Sequence, residues 1–457
     1  MNQKSKKAGF WLLVWGLGIA GQLCWNMENQ WFNTFVYAKI AKDPTIISWM
    51  VGVSAVATTI STFLFGCVSD RMGKRKILVS VGYILWGVFT ILFGTTQFIT
   101  GGAVGNDAKL LMVAGIAIVS ADAIMSFFGS MGNDIALNAW VNDHMNDSNR
   151  GQLGAALATQ PVIGTIVGTV VGGMLVGSDD NYMRLFLVMG ALVALFGIWS
   201  LVAMKDSPEL KPSRRGSFWK QFISIFDFRS YFAMKELAWV NLSLSIYFIA
   251  FNMYFAHAGN YMIYYLGFSP DMMGYIEGLA LVLAMLVTIP CTRLLNRNKA
   301  PQLCVVSVLL NSVGVGLMGL LIRPENVNTA SIWNPILLVG LFLMGMGYVL
   351  FLQSATVWGK QLYPENARGQ FEGIRILFFV MIPMVGAPLL ANPIIKRSGE
   401  FMDENGFTAY LPTNTLFLAG AALVLLTLLP IAFAKKYHDA RTCQQQENTE
   451  ESTHQCG

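Results

Sequence analysis

Residues 46–98 read IISWMVGVSAVATTISTFLFGCVSDRMGKRKILVSVGYILWGVFTILFGTTQF. Two apolar runs, 46–67 and 77–98, flank one short charged cluster. Each run reaches the roughly 20 residues that a helix needs to cross the hydrocarbon core of a bilayer. In lipid every backbone N–H and C=O must be satisfied inside the protein, so only helices or a closed barrel can span, and runs of this length are too long for strands. Working outward, the same reading finds runs near 10–37, 110–140, 153–177 and 184–204, then 235–258, 271–290, 300–322, 332–357, 371–392 and 413–434. Composition agrees: 54% of residues are hydrophobic and 12% charged, about half the charged fraction of a soluble domain. The sequence predicts an all-α membrane protein of twelve transmembrane helices.

Lys and Arg are retained on the cytoplasmic side of membrane helices. With both termini on that side, the 31 Lys and Arg residues divide so that only Lys39, Lys42, Lys109, Arg184, Arg323, Lys396 and Arg397 fall outside. The formal charge of +5 then reflects topology, and no nucleic-acid partner is expected. The expected setting is a bacterial-type inner membrane, with lipid all round. The basic start and first apolar run lack a small-residue cleavage pattern, so the first helix is expected to be kept. The six cysteines, Cys24, Cys67, Cys291, Cys304, Cys443 and Cys456, show no metal-ligand spacing and lie mostly where thiols stay reduced. No metal and no cofactor is expected.

The most basic inner loop divides the spans into six and six. The expected organisation is a six-helix bundle over 1–203, a cytoplasmic linker over 204–234, a second bundle over 235–434 and a disordered cytoplasmic tail over 435–457. The linker is rich in breakers at Ser207-Pro208 and Pro212-Ser213-Arg214-Arg215-Gly216, while Phe218-Trp219-Lys220-Gln221-Phe222 reads as a short amphipathic helix at the inner surface. An internal repeat supports the division. Trp140 is followed ten residues on by Arg150-Gly151-Gln152, and Trp358 ten residues on by Arg368-Gly369-Gln370, in equivalent loops of the two halves. Many carriers are built from repeated halves, with the solute between them.

The loop after the second span, Gly66-Cys67-Val68-Ser69-Asp70-Arg71-Met72-Gly73-Lys74-Arg75-Lys76, is similar to the G-x-x-x-D-R-x-G-[RK]-[RK] signature of the major facilitator superfamily. Physically, Asp70 ends a helix, Gly73 permits a tight reversal and the basic trio holds the loop inside. The resemblance implies two pseudo-symmetric six-helix bundles, a single-chain carrier, and a latch between the halves to which Asp70, Arg71 and Gly73 belong, opposite the start of the eleventh span. A narrower resemblance, carried by Asn133-Asp134-Ile135-Ala136-Leu137-Asn138-Ala139-Trp140 and Gln152-Leu153, is to the glycoside–pentoside–hexuronide cation symporters, the melibiose-permease-like branch. Two departures stand out. Where sodium-using members carry carboxylates on the second span, this chain offers hydroxyls over Val56–Thr62, and where the branch has a sugar-contacting Arg on the fifth, it reads Ala155-Ala156-Leu157-Ala158.

A charge near the bilayer centre is unfavourable by about 2.5–3.5 kcal/mol, so an intramembrane carboxylate marks a cavity or a tie between helices. Glu28, Asp122 and Asp134 qualify. At 100° per residue, Asp122, Ser126, Ser130 and Asn133 share one face of the fourth span, with Asp134 at its edge. Asp134 is the candidate substrate carboxylate, since its two oxygens can accept from neighbouring sugar hydroxyls; the alternative is a structural tie. Glu28 and Asp122 are candidates for binding the coupling ion, H+ or Na+, or for packing. On the first span Asn26, Asn29, Gln30 and Asn33 form a stripe of amides with Glu28 nearly opposite, so either the helix is distorted or one face packs against a neighbour. Rings cover the apolar face of a sugar while polar groups read its hydroxyls; Trp25, Trp31, Asn252, Tyr254, His257 and Tyr261 could do both, or serve as interfacial and core residues. Glu277, Gln353 and the Glu372/Arg375 pair complete the polar set of the second half. Arg150 and Arg368, each before a helix start, are candidate inner gates or positive-inside anchors, with Asp143 or Asp147 and Glu365 or Glu372 to hold them.

The expected function is secondary active transport of a small solute, a sugar or glycoside moved with a cation. A drug or metabolite antiporter and a non-transporting nutrient sensor on a carrier fold are the alternatives. No phosphate loop, His-Glu-x-x-His helix or Gly-x-Ser-x-Gly elbow occurs in the sequence, so no enzymatic activity is expected.

Overall fold

The computed structural model describes residues 3–455 other than 102–106, 147–148, 209, 211, 213–216, 220–227, 296–298, 364–367 and 404–407. Among the described residues, twelve helices are long and apolar enough to cross a membrane. They are α1 (Ala8–Lys39), α2 (Pro44–Met72), α3 (Lys76–Thr100), α4 (Ala108–Asp143), α5 (Gly151–Val176), α6 (Tyr182–Ala203), α7 (Lys235–Tyr265), α8 (Pro270–Cys291), α9 (Ala300–Leu321), α10 (Pro335–Gln361), α11 (Gly373–Ser398) and α12 (Asn414–Cys443). Each coincides within a few residues with an apolar run of the sequence. Their starts follow helix-capping chemistry: the Asp43 side chain accepts from the Thr45 N–H ahead of α2, and Asp107 does the same for Lys109 ahead of α4, both at 2.8 Å.

The two halves meet through three pairs of helices, α1 with α7, α2 with α11 and α5 with α8. Exchanging the halves converts α2–α11 into α8–α5 and returns α1–α7 to itself, so these contacts obey one pseudo-twofold. The repeated tryptophans obey it too. Trp140, 2% exposed, donates through Nε1 to the Lys205 carbonyl just after α6 (2.7 Å) and packs on Phe10 of α1. Trp358, 1% exposed, donates to Glu236 Oε1 of α7 (2.8 Å) and packs on His438 of α12. Each thus ties the first and sixth helices of its own half near the face that carries the basic loops.

One feature departs from the all-helical expectation and another from the reading of the tail. On the face opposite the basic loops, β1 (Glu400–Met402) and β2 (Thr408–Tyr410) form an antiparallel hairpin with Phe401 opposite Ala409; a three-residue strand is too short to leave a period in the sequence. The residues read as a disordered tail continue as helix to Gln455. His438 and Arg441 bind Glu236 at 3.1 and 2.9 Å, an anchor that composition alone does not reveal. Most of the amphipathic helix expected at 218–222 lies outside the described residues.

Candidate functional site

A cavity of about 1590 Å³ lies between the halves. Its mouth is lined by Asp70, Asn138 and Asn142 from one half and by Lys360, Gln361 and Tyr363 from the other, all next to the basic loops. The opposite end is closed. Asn260 donates to the Asn33 carbonyl at 3.1 Å and Tyr264 to the Thr34 carbonyl at 3.4 Å, joining α7 to α1. A Cβ on Gly173 of α5 would stand 2.7 Å from the Pro270 carbonyl at the start of α8, so glycine is what allows these helices to touch there. Outside them the hairpin and the end of α11 hold the α1–α2 loop: the Tyr410 N–H donates to the Lys42 carbonyl at 2.8 Å and Lys396 of α11 pairs with Asp43 at 3.5 Å.

The wall from the first half is polar. Trp25, Asn26, Glu28, Asn29 and Gln30 of α1 line it together with Asp134 of α4. Asp134 Oδ1 accepts from Trp25 Nε1 at 3.2 Å and from Asn133 Nδ2 at 2.9 Å. It sits on a π-helical stretch, Ser130–Leu137, whose wider turn changes the stripe read at 100° per residue. Asn133, expected to line the cavity, is turned away: its Oδ1 accepts from Tyr83 of α3 at 2.9 Å, and its amide holds Asp134 in place.

The question posed by α1 has a plain answer. The helix is regular over Gln3–Lys39, and Glu28 reaches from the edge of the cavity into the packing of α1, α2 and α4. Its Oε1 accepts from Ser54 at 3.1 Å and Ser126 at 2.7 Å. The same Ser126 hydroxyl approaches the Asp122 carbonyl oxygen at 2.8 Å, and the two serines lie 3.2 Å apart. Among the described residues, Glu28 Oε2 and Asp122 Oδ1 are buried without a hydrogen-bond partner. Asp122, 1% exposed, is close behind Glu28 and off the cavity wall.

The wall from the second half is aromatic. Phe248, Phe251 and Phe255 of α7, Tyr348 of α10 and Phe379 of α11 line it, with Asn252 among them. Phe251 stacks on Tyr348 and on Phe255 with ring centres 4.6 and 4.7 Å apart. Tyr254 does not reach the cavity; it is fully buried and donates to Asn311 at 3.1 Å. Trp31, His257 and Tyr261 are buried as well, Trp31 donating to the Gly168 carbonyl at 3.3 Å. Glu277 of α8 is the carboxylate that this half sends into the cavity, and it accepts from Gln30 across the divide.

The sequence pattern of the Major Facilitator Superfamily matches residues 14–322 and 240–453. The chain belongs to this superfamily of membrane transporters. No curated protein matches it. The solved bacterial homolog of the human lysosomal transporter Spinster, inward-facing and unoccupied, superposes with TM-score 0.66 at 12% identity, covering 95% of this chain and 97% of that one. A mutant of the nucleoside transporter NupG gives 0.65 at 15% identity over 92% and 98%, and the xylose transporter XylE from E. coli, inward open, gives 0.63 at 13% over 93% and 95%. At these identities the likeness shows the fold.

Every residue of the superfamily signature loop is described. Gly73 ends α2 in the left-handed conformation (φ 60°), its N–H donating to the Ser69 carbonyl at 3.0 Å, and a Cβ there would stand 2.9 Å from the Pro212 nitrogen. Asp70 pairs within its own half with Arg75 at 2.8 Å. Arg75 also binds Asp143 at 3.0 Å, and its backbone N–H donates to Asp206 at 2.9 Å. Burial opposes the charge of Arg75, but its hydrogen bonds and attraction to Asp143 and Asp70 prevail and hold its pKa above the ordinary guanidinium value. Asp143, read as an alternative to Asp147 for holding Arg150, binds Arg75 of the signature loop. The side chains of Arg150, Arg368 and Glu372, and residues Asp147 and Glu365, lie outside the described set.

Proposed function

We propose that this chain is a secondary active transporter that moves a neutral sugar or glycoside together with a cation by alternating access. It belongs to the glycoside–pentoside–hexuronide cation symporter branch and works as a single chain, with both termini and the basic face on the cytoplasmic side of a bacterial-type inner membrane. The observation that carries this reading is the pairing of a hydrogen-bonding wall, Trp25, Asn26, Asn29 and Asp134, with an aromatic wall across one cavity open to the basic face. Such a pairing suits a pyranose, whose hydroxyls need acceptors and donors while its C–H face needs a ring.

The coupling ion, H+ or Na+, binds at Glu28, assisted by Ser54, Ser126 and the nearby Asp122. An uncompensated charge within a membrane helix is unfavourable by about 2.5–3.5 kcal/mol, and neighbouring carboxylates add mutual repulsion. A bound cation relieves both effects. Asp70, Arg71 and Gly73 set the inner end of α2, with Arg150 and Arg368 as the symmetry-related inner gate.

Uptake of labelled mono- and disaccharides into vesicles under imposed proton or sodium gradients, comparing wild type with Asp134→Asn, tests the reading. Gradient-driven uptake lost in the variant is expected. Uptake of no sugar under either gradient would overturn the branch assignment. Exchange of an organic cation for protons would instead favour an antiporter, a reading to which carboxylates facing aromatic rings also lend themselves.

A further inference from the structure

Among the described residues, the closed end of the cavity contains one hydrogen bond between side chains of opposite halves that borders the solute space. Gln30 of α1 donates through Nε2 to Glu277 Oε2 of α8, and both residues line the cavity. Gln30 is fixed from behind, because its Oε1 accepts from Thr169 of α5 at 2.8 Å, and Thr169 in turn accepts from Asn26 at 3.4 Å. Gln30 therefore cannot follow Glu277 if α8 moves away from α5. Glu277 has no salt bridge among the described residues; the cations lining the cavity, Lys360 and Arg375, stand on α10 and α11 toward the basic face.

Resting on the reading of this cavity as the solute site, we propose that the Gln30–Glu277 hydrogen bond is a bolt holding the far end closed. A solute that carries a hydrogen-bond donor and no negative charge withdraws it by becoming the donor to Glu277. An ionised carboxylate accepts at several sites, so a hydroxyl or ammonium group can approach Glu277 while Gln30 still holds it, and then replace Gln30. An anionic solute meets Glu28, Asp134 and Glu277, none of which has a salt bridge to Lys or Arg among the described residues. It is rejected by repulsion in a low-dielectric space. The solute class is thus a polyol or an amine, and sugar acids are excluded.

The test reads the mouth. Spin labels at Asn142→Cys and Gln361→Cys, on opposite sides of it, report its opening in the full-length protein in liposomes, with the native cysteines replaced. Cutting the bolt with Gln30→Leu or Glu277→Leu is expected to enrich the short-distance population, in which the mouth is closed, by roughly 10- to 150-fold, the equilibrium worth of one hydrogen bond to a charged group. The double variant should go no further than either single one, and Glu277→Gln, which keeps a neutral acceptor for Gln30, should move the distribution part of the way back toward the wild type. Unchanged populations in both Leu variants, or additive effects, would overturn the bolt. Added methyl glucoside or glucosamine should shift the wild type the same way and glucuronate should not; glucuronate acting equally would overturn the charge rule. If no sugar shifts the wild type while the Leu variants do, the bolt stands and the carbohydrate reading fails.

Discussion

The two walls of the cavity follow opposite rules, although they come from halves related by a pseudo-twofold. The first half presents Trp25, Asn26, Asn29, Glu28 and Asp134; the second presents Phe248, Phe251, Phe255, Tyr348 and Phe379 with Asn252 among them. Duplication supplies the scaffold, visible in the matched Trp140 and Trp358 ties, while the residues that meet a solute have diverged. On the proposed reading, hydrogen bonding to the solute falls mainly to the first half, with Glu277 the exception, and ring contact to the second.

This division can be attacked from both sides. Glu28→Gln is expected to have the largest effect, removing accumulation against a gradient while leaving solute exchange, read as the steady-state concentration ratio across a vesicle. Retained accumulation would mean that the first wall does not hold the ion. Asp134→Ala should lower solute affinity about 10- to 150-fold, the range for a hydrogen bond to a charged group, measured as the KM of uptake. Phe251→Ala, which opens the second wall, should lower it by roughly three- to tenfold; a loss matching that of Asp134→Ala would erase the distinction between the walls. Asn252→Leu should change KM by no more than about threefold, and a larger effect would show that the aromatic wall also reads hydroxyls.

The fold was legible because a bilayer leaves a strong and simple mark, runs such as 77–98 that no other structure explains. The polar wall was legible for the same reason: Glu28, Asp134 and the α1 amides stand out against lipid-compatible surroundings. What did not show was partnership at long sequence separation. Gln30 and Glu277 are 247 positions apart, and neither periodicity nor composition joins them. Asn133 and Tyr254 have the chemistry of site residues but turn away, to Tyr83 and Asn311. A π-helical turn repositions the first, and helix packing within the second half claims the other. The aromatic wall was obscured by abundance, since 30 Phe residues also serve the lipid surface and the core.

The π-helical stretch Ser130–Leu137 also has a genetic consequence. A wide turn amounts to one residue inserted into an α-helix, so deleting a single codon within it could restore a regular helix and still leave a span long enough to cross the bilayer. That deletion would remove the wide turn and leave the helix beyond it near its present facing, while Asp134, inside the stretch, turns relative to Trp25 without changing one amino acid of the wall. At this position insertions and deletions, more than substitutions, are the mutations through which a lineage could gain or lose its solute.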